Sequence, residues 1–571
     1  MSDSPTVLDT VLRYLAAEQV EYVFGVPGGL LHPFFEAAQN SEDLTLVVTK
    51  HEGGAAFMAD GYARVGNRLA VCASTAGPGA TNMLTGVSVA YADGVPMLVL
   101  TGQVPSNAIG RGAAQESGRE DMDIVAMFQP VTKYSAMITG PGDATHHLRR
   151  ALRLALSNRP GPVHLNVPVD LWSMPLAEDW LEPEGYRPRT SVFDRAAVQR
   201  AADALLEAER PVILCGSGVG VAGAREHLMT LAELLPAKVA TTPRAKGLFP
   251  EDHPLSLGVL GYAGHRAAER AVLGTDCDVL LVAGSSLNET TTSWNPAIRP
   301  SGALIHLDVD VDRIGRTYPV DVPLLGDAQT VLVELVYHLH REMRDGHAPR
   351  SVFEADDRLR GPRPDSWYLD AELRQSDQIP LAPQRWRKEL AEVLPDGAVV
   401  FSDIGGHMLF NIHHLCIGGD QRFLVNMGFA SMGHGTNAPI GAAFATDDPV
   451  IAIVGDACFA MNGMDLLTAA ELDVPVLWIV ENNHMHGITY HGSKLVGDSP
   501  LTAVRYRRNI EVAAIARAMG IDSYVVDRPG QLAEAVTRGL SMRRPCLIEV
   551  RVDGELPPPL KGRARSVKGQ R

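Results

Sequence analysis

Short apolar runs alternate with stretches of helical spacing along nearly the whole chain. Thr6-Val-Leu-Asp9 reads as a capping box, and Leu8, Leu12 and Leu15 then recur at helical spacing. Tyr22 to Val26 predicts a strand, stopped by Pro27-Gly28-Gly29. Apolar runs at Leu44 to Val48, Ala70 to Ala73, Met97 to Leu100 and Val163 to Val167 predict further strands between helical patterns. Such alternation is the pattern of parallel βαβ units.

The series restarts twice. Pro211-Val-Ile-Leu-Cys-Gly216 opens a second run, continued by Val279 to Ala283 and Ala303 to Asp308. Ala398-Val-Val-Phe-Ser402 opens a third, continued by Val450 to Val454, Val476 to Val480 and Cys546 to Val552. Between them Arg341 to Asp377 is polar and reads as an exposed linker with little core of its own. The expectation is an α/β protein of three doubly wound parallel-sheet domains over 1–185, 190–345 and 375–555. A linker would span 346–374 and a basic tail 556–571. The tail's last stretch, Lys561 to Arg571, suits either a solvated end or a lid over an active site.

Composition narrows the class. At 571 residues the chain is too long for one core. A net charge of −16 argues against nucleic-acid and membrane-surface partners. The six cysteines lie far apart, with no C-x-x-C pair, as expected of buried thiols in a reduced, cytoplasmic protein. Met1 to Thr6 has no signal pattern, and no apolar run is long enough for a membrane helix.

The third series carries the clearest chemistry. The strand ending at Val454 runs into Gly455-Asp456-Ala457-Cys458-Phe459. The strand ending at Val480 runs into Glu481-Asn482-Asn483-His484-Met485-His486-Gly487. In a parallel sheet, ligands bind at the carboxyl ends of strands. An Asp and an Asn oxygen with a backbone carbonyl make half of a hard-oxygen shell for Mg²⁺, which phosphate oxygens and water complete. A Gly-Asp turn beside a helix N-terminus suits a diphosphate. Taken singly, the Asp could be a helix cap and the Asn a turn residue.

Gly-Asp-x-x-Phe followed at this spacing by Asn-Asn resembles the thiamine-diphosphate (ThDP) motif of the acetolactate synthase and pyruvate decarboxylase superfamily. Other segments resemble that family in order. They are Phe24-Gly-Val-Pro-Gly-Gly29, Thr49-Lys50-His51-Glu52, Thr75-Ala-Gly-Pro-Gly-Ala-Thr-Asn82, Thr101-Gly-Gln-Val-Pro105, Gln115-Glu116 and Pro168-Val-Asp170. Leu248 to Gly258, Asp308-Val-Asp310, Asp403-Ile-Gly-Gly-His407 and Met432-Gly433 continue the likeness, which is closest to acetolactate synthase large subunits.

The resemblance implies Asp456, Asn483 and the Met485 carbonyl as magnesium ligands. It implies that Pro27, Gly28, Thr75, Pro78 and Asn82 touch the cofactor from the first domain. From the third domain it implies Ile404, Gly405, Gly406, His407, Ala430, Met432, Gly455, Ala457, Cys458, His486, Gly487 and Ile488, besides Asp456, Asn483 and Met485. Met432 would wedge the cofactor into its bent shape. Glu52 would share a proton with N1′ of the aminopyrimidine, so that N4′ can deprotonate the thiazolium carbon and give a ylide. Gln115 joins Glu52 as a catalytic candidate. The family places each site between two subunits, which implies a homodimer or homotetramer.

The sequence also departs from the family. Where acetolactate synthases carry Arg-Phe-Asp-Asp-Arg, this chain reads Gly284-Ser-Ser286-Leu-Asn-Glu-Thr290. A serine hydroxyl does not replace a guanidinium that grips a carboxylate. The same string lies in the flavin-binding region, so FAD is doubtful. No Trp follows Gly487, Ala114 stands where the family has Phe, and extra residues lie within Ser117 to Met122. His484, His486, Tyr490, Arg111 and Arg119 are new polar candidates, with His484 and His486 added to the catalytic set; an imidazole suits proton transfer near neutral pH. The expected reaction is decarboxylation of a 2-oxo acid, by default pyruvate, and transfer of its acyl unit to a second carbonyl compound. Alternatives are acetolactate synthesis proper, cleavage of a 2-hydroxy carbonyl compound, a flavin-dependent oxidase and a non-catalytic relative.

Overall fold

Three parallel sheets of six strands organise the chain. The computed structural model describes residues 4–560 apart from 119–121, 177–179, 188–191, 354–362 and 498. Arg119, the stretch 354–362 of the polar linker and the basic stretch 561–571 lie outside the described residues.

The first sheet contains β1 (Tyr22–Val26), β2 (Thr45–Val48), β3 (Ala70–Ser74), β4 (Met97–Gln103), β5 (Ser135–Met137) and β6 (Pro162–Pro168). Its order is β2-β1-β3-β4-β6-β5. The second contains β7 (Pro211–Cys215), β8 (Lys238–Thr241), β9 (Ser256–Val259), β10 (Val279–Ala283), β11 (Ala303–Asp308) and β12 (Val322–Leu325), in the order β12-β11-β10-β7-β8-β9. The third contains β13 (Val399–Ser402), β14 (Arg422–Val425), β15 (Val450–Gly455), β16 (Val476–Asn482), β17 (Asp522–Val526) and β18 (Cys546–Arg551). Its order, β14-β13-β15-β16-β18-β17, repeats that of the first sheet strand for strand. In both, the chain reverses direction across the sheet beside the opening strand: between β1 and β3, and between β13 and β15. A crevice opens at the carboxyl ends of strands at such a point.

The expected α/β class therefore holds, and the strands read from apolar runs are inner ones, with the edge strand β2 the exception. β3, β4, β6, β7, β10, β15 and β16 are buried along their whole length, because helices cover both faces. The helix Val7–Ala17 opens with the predicted capping box between Thr6 and Asp9. All six cysteines are free, five of them buried. No helix among the described residues is long and apolar enough to cross a membrane.

The polar stretch 341–377 departs from its reading as an exposed linker. The helix Ala328–Arg344 reaches into it. Beyond the undescribed segment, Arg363, Tyr368 and Arg374 are buried. Arg363 donates to the carbonyls of Glu251 (2.6 Å), His253 (2.6 Å) and Ser256 (3.1 Å). Arg374 donates to the His414 carbonyl at 2.8 Å and stacks on Tyr368. Charge misleads here because a guanidinium with enough carbonyl acceptors can be buried.

The first and third domains meet along two helices, Glu52–Gly66 and His434–Ala442. They cross so closely that a Cβ at Gly61 would fall 1.9 Å from the Ala438 carbonyl oxygen. One at Gly441 would fall 1.8 Å from that of Met58. A second buried fixture lies under the third sheet. Arg387 donates to the Asn411 side chain (2.8 Å), to the carbonyls of Pro383 (2.8 Å) and His407 (3.0 Å), and to Glu481 (2.6 Å).

Two outcomes follow for stability. Gly61→Ala should destabilise the protein by about 3 kcal/mol, because backbone rather than a flexible side chain meets the new methyl group. Arg387→Met should cost about 3–5 kcal/mol, because it leaves the buried Glu481 carboxylate without its counter-charge and with the Trp386 N–H at 3.1 Å as its remaining side-chain donor among the described residues. Denaturant unfolding measures both, and a loss below about 1 kcal/mol in either would contradict the packing described.

Candidate active site

Both crevices are lined by glycine. In the first sheet, β1 ends at Val26 and leads into Pro27-Gly28, while β3 ends at Ser74 and leads into Thr75. Gly28 lies against Thr75, where a Cβ would come 2.5 Å from the Thr75 Cβ. The Thr75 hydroxyl is buried with no hydrogen-bond partner among the described residues. Gly77 adopts φ +62° and faces Gln115, which is itself left-handed at φ +63°. Helix Pro78–Asp93 then begins with Pro at its first position. Asn82 Nδ2 donates to Glu52 Oε2 at 2.9 Å, and Gly79 leaves room beside Glu52 Oε1. Pro27, Pro78, Asn82 and Gln115 are exposed, and Glu52 and Thr75 are half-buried. These residues form one cluster on an open face.

Gln115 is held there by its neighbours. Glu116 accepts backbone N–H groups of Gly110, Gly112 (3.1 Å) and Ala113 (3.2 Å). Those donors, Gly110 first, hold its carboxyl below the usual range. Ser117 Oγ accepts the Gly77 N–H at 3.0 Å and donates to the Gln115 carbonyl at 3.1 Å.

In the third sheet the second cluster gathers at the ends of β13, β15 and β16. Asp403 accepts the N–H groups of Ile404 (2.8 Å) and Gly433 (3.0 Å) and the Thr436 hydroxyl (3.0 Å). It thereby ties the turn Ile404-Gly405-Gly406-His407 to the start of helix His434–Ala442. The His407 ring lies between Gly405 and Gly455, each too close for a Cβ. His407 Nε2 is buried and unpartnered, and burial, aided by the Arg387 charge, holds the imidazole down at about 3. It is a neutral ring nitrogen aimed into the cradle. Cys458 Sγ reaches the Ile404 carbonyl at 3.2 Å, and Gly406 lies beside the Ile488 N–H. Ala430 is left-handed at φ +62° and exposed, and Met432 is half-buried.

Asp456 opens helix Asp456–Asn462 and is buried. It accepts the N–H groups of Ala457 (2.7 Å) and His484 (2.7 Å), and among the described residues no cationic side chain is paired with it. Burial pushes its carboxyl up to about 7, and the Glu481 charge adds to this. A buried carboxylate without a counter-charge suits a metal cation. Asn483 Oδ1 accepts the Met485 N–H at 3.1 Å, which folds the strand end so that both sit in one turn. Among the described residues no three His, Cys, Asp or Glu side chains cluster as metal ligands. A site here therefore rests on one carboxylate, one amide and one carbonyl, a set of hard oxygens suited to Mg²⁺.

The added polar candidates divide. His484 is left-handed at φ +58°, and its Nδ1 is buried without a partner. Burial holds its imidazole below the usual range, against the pull of Glu549. His486 lies edge-on to Tyr506, with ring centroids 5.6 Å apart. Tyr490 is buried and donates to Glu555 at 3.3 Å, so it is engaged away from the cluster. Arg111 is exposed in the Gln115 loop. Two residues of the site carry no motif. Tyr506 donates its N–H to the His484 carbonyl at 2.9 Å. Burial and then the Asp456 charge raise its phenol pKa. Arg387 holds the His407 turn from below through its carbonyl.

Ser286 lies elsewhere, in a cavity of about 580 Å³ between the first and second domains, with Gly428 of the third at its edge. Arg159, Arg244, Arg313 and Arg316 line the same cavity. Arg244 pairs with Asp93 at 3.0 Å and Arg313 with Asp310 at 3.3 Å.

Comparison with known proteins agrees with this architecture. Family profiles match in order: the thiamine pyrophosphate enzyme N-terminal TPP-binding domain over 5–127, the central domain over 198–335 and the C-terminal TPP-binding domain over 403–550. A probable acetolactate synthase large subunit of Methanocaldococcus jannaschii is 35% identical over 561 residues, covering 95% of this chain and 91% of the relative. The acetolactate synthase large subunit of Corynebacterium glutamicum is 32% identical over 552 residues, covering 94% and 85%. That of Parasynechococcus marenigrum is 31% identical over 591 residues, covering 99% and 91%. With three ordered domains, two glycine-lined crevices and relatives matched nearly end to end, the chain belongs to the thiamine-diphosphate-dependent enzymes related to acetolactate synthase large subunits.

Proposed function

We propose that the protein is a ThDP- and Mg²⁺-dependent carboligase that decarboxylates a 2-oxo acid, pyruvate by default, and transfers the acyl unit to a second carbonyl compound. The observation that carries this reading is the pair of glycine-lined crevices at equivalent switch points of two sheets with one strand order. One offers a carboxyl, Glu52; the other a buried, uncompensated Asp456 beside Asn483.

When bound, ThDP supplies the electron sink that lets carbon dioxide leave and stores the acyl carbanion equivalent. The chain's own groups do the rest. Glu52, steadied by Asn82 on Oε2, keeps Oε1 available to hold a proton against a ring nitrogen. Asp456, Asn483 Oδ1 and the Met485 carbonyl would hold the magnesium ion. Gly405, Gly406, His407, Gly455, Ala457, Cys458, Gly487 and Ile488 would cradle the diphosphate. Met432 and Ala430 would support the cofactor between its rings, and Pro27, Gly28, Thr75 and Pro78 would line the pyrimidine side. Gln115 faces the reacting carbonyls, and His484 or His486 donates a proton to the product oxygen.

The reading requires two subunits. Within one chain no hydrogen bond among the described residues joins the Glu52 cluster to the Asp456 cluster. Phe429, Met461 and Met464, near the second cluster in sequence, are 50%, 55% and 64% exposed. A homodimer, or a dimer of such dimers, would cover them and complete each site. A catalytically active monomer in sedimentation would exclude this arrangement. We place the enzyme in the cytoplasm, a reading supported by six free cysteines. FAD is doubtful, because Gly284-Ser-Ser286-Leu-Asn-Glu-Thr290 replaces the family's string in the flavin-binding region; a yellow, flavin-containing preparation would overturn that reading.

Two acceptors are in play. Ser286 in place of an arginine favours an acceptor without a carboxylate, such as an aldehyde or ketone. The four arginines around the same cavity favour a second 2-oxo acid, hence acetolactate formation.

Incubation with ThDP, Mg²⁺ and pyruvate, followed by proton NMR, tests the reading. Repeated turnover to acetolactate supports the synthase. Pyruvate loss with only traces of acetaldehyde or acetoin supports a different acceptor. No consumption of pyruvate moves the search to other 2-oxo acids or to cleavage of a 2-hydroxy carbonyl compound. Glu52→Gln should lower donor consumption by at least about 100-fold. Ser286→Arg should raise use of a 2-oxo-acid acceptor over an aldehyde in direct competition; an unchanged product ratio counts against a carboxylate-free acceptor.

A further inference from the structure

Asp465 lies in the third domain, nine positions beyond Asp456, yet its carboxylate points at the first domain. Oδ1 accepts the backbone N–H groups of Lys50 (2.8 Å) and His51 (3.2 Å). Oδ2 accepts Asn437 Nδ2 at 2.9 Å. Gly54 lies against the same carboxylate, where a Cβ would come 1.9 Å from Oδ2. Lys50 and His51 immediately precede Glu52, and the helix Glu52–Gly66 begins there, with the His51 side chain accepting the Gly53 N–H. The neighbouring contacts point the same way. Lys50 Nζ pairs with Glu471, and Thr468 Oγ1 reaches the Val48 carbonyl at 3.4 Å. The segment Val48–Glu52 is thus docked on residues 465–471.

The geometry points to Asp465 as a positioning residue that fixes the first turn of the Glu52 helix, and with it the Glu52 carboxyl, by holding the Lys50 and His51 amides from the third domain. This rests on the reading of Glu52 as the catalytic carboxyl. Three donors converge on one side chain that is 2% exposed. The charged groups around it are Lys50 with its partner Glu471, His51 and Glu52. Burial pushes the Asp465 carboxyl up to about 6, opposed by the Lys50 amide and the His51 charge. A raised carboxyl means the folded state binds the extra proton, so keeping Asp465 ionised costs stability above about pH 6 and costs none below the unfolded value near 3.8.

The neighbour also provides for an isosteric test. Asn437 Oδ1 is buried with no partner. If its amide turns over, it accepts an N–H from an asparagine at 465, so Asp465→Asn retains the two amide contacts and removes the charge. Asp465→Asn, Asp465→Ala and Glu52→Gln are compared with the wild type for kcat, KM and the melting temperature of the cofactor-free protein at pH 5 and pH 8. Asp465→Asn should lower kcat about tenfold with KM within about twofold, as expected of a misplaced acid–base group. Its melting temperature should exceed the wild type's at pH 8 and by a smaller margin at pH 5, because the unfolded carboxyl is still ionised there. Asp465→Ala should lower both kcat and melting temperature, because two backbone amides and the Asn437 side chain lose their acceptor. Asp465→Asn with kcat within twofold of wild type overturns the inference. So does a kcat loss accompanied by a lower melting temperature at pH 8. Full activity in Glu52→Gln instead overturns the reading of Glu52 and leaves the docking of its helix a matter of folding alone.

Discussion

The crossing of helices Glu52–Gly66 and His434–Ala442 is the constraint on which the rest of the molecule depends. One helix starts with the candidate acid–base residue, and the other starts just after the turn that Asp403 ties to the diphosphate cradle. Glycines at 61 and 441 let backbone meet backbone. A buried charge network then locks the crossing. His434 Nε2 meets Asp60 Oδ1 at 2.6 Å, Arg64 bonds Asp60, and Arg64 reaches Asp93 at 2.8 Å. Burial alone would raise the Asp60 carboxyl, but Arg64 and His434 hold it down at about 2. Its contribution is therefore present above the unfolded value near 3.8 and is lost as pH falls toward 2. The network continues from Asp93 to Arg244, which lines the Ser286 cavity. The three domains thus share one polar seam.

Around that seam, division of labour follows from strand order. The first and third sheets have the same order and the same reversal point, so each opens one crevice. The second sheet has a different order and instead contributes walls to the cavity that holds Ser286. Neither crevice alone holds both a proton-transferring carboxyl and a cation site. Two unlike half-sites on one rigid chain are what a subunit-bridging enzyme requires, since each chain can then serve two centres at once.

The site is built from absence as much as presence. Gly28, Gly405 and Gly455 stand where a methyl group would strike Thr75 or the His407 ring. Three polar groups close to those glycines, or to the Asp456–Asn483 turn, are unpartnered among the described residues: Thr75 Oγ1, His407 Nε2 and His484 Nδ1. Buried polar atoms normally find partners within the protein or in ordered water. Their clustering at strand ends is the physical sign of a place kept for a ligand.

Much of this was legible in the chain. The inner strands announce themselves as unbroken apolar runs because both faces are covered. Their terminal glycines and the Asp456–Asn483 pair mark the site because strand ends are local features. Five of the six unread strands, β5, β9, β12, β14 and β17, are sheet edges, and the sixth, β8, is their neighbour. An edge such as β12 alternates buried and exposed residues over four positions, too short a pattern to stand out. The buried arginines of the polar stretch were equally hidden, since their acceptors are carbonyls of distant loops. Asp465 is the clearest case. By sequence it is one more acid on a helix, 415 positions from the amide it holds. Periodicity and turn chemistry are properties of neighbours along the chain, and so the sequence by itself determined the fold class and marked the candidate half-sites. Which buried charge meets which backbone group depends on how whole domains pack, and only the tertiary structure decided that.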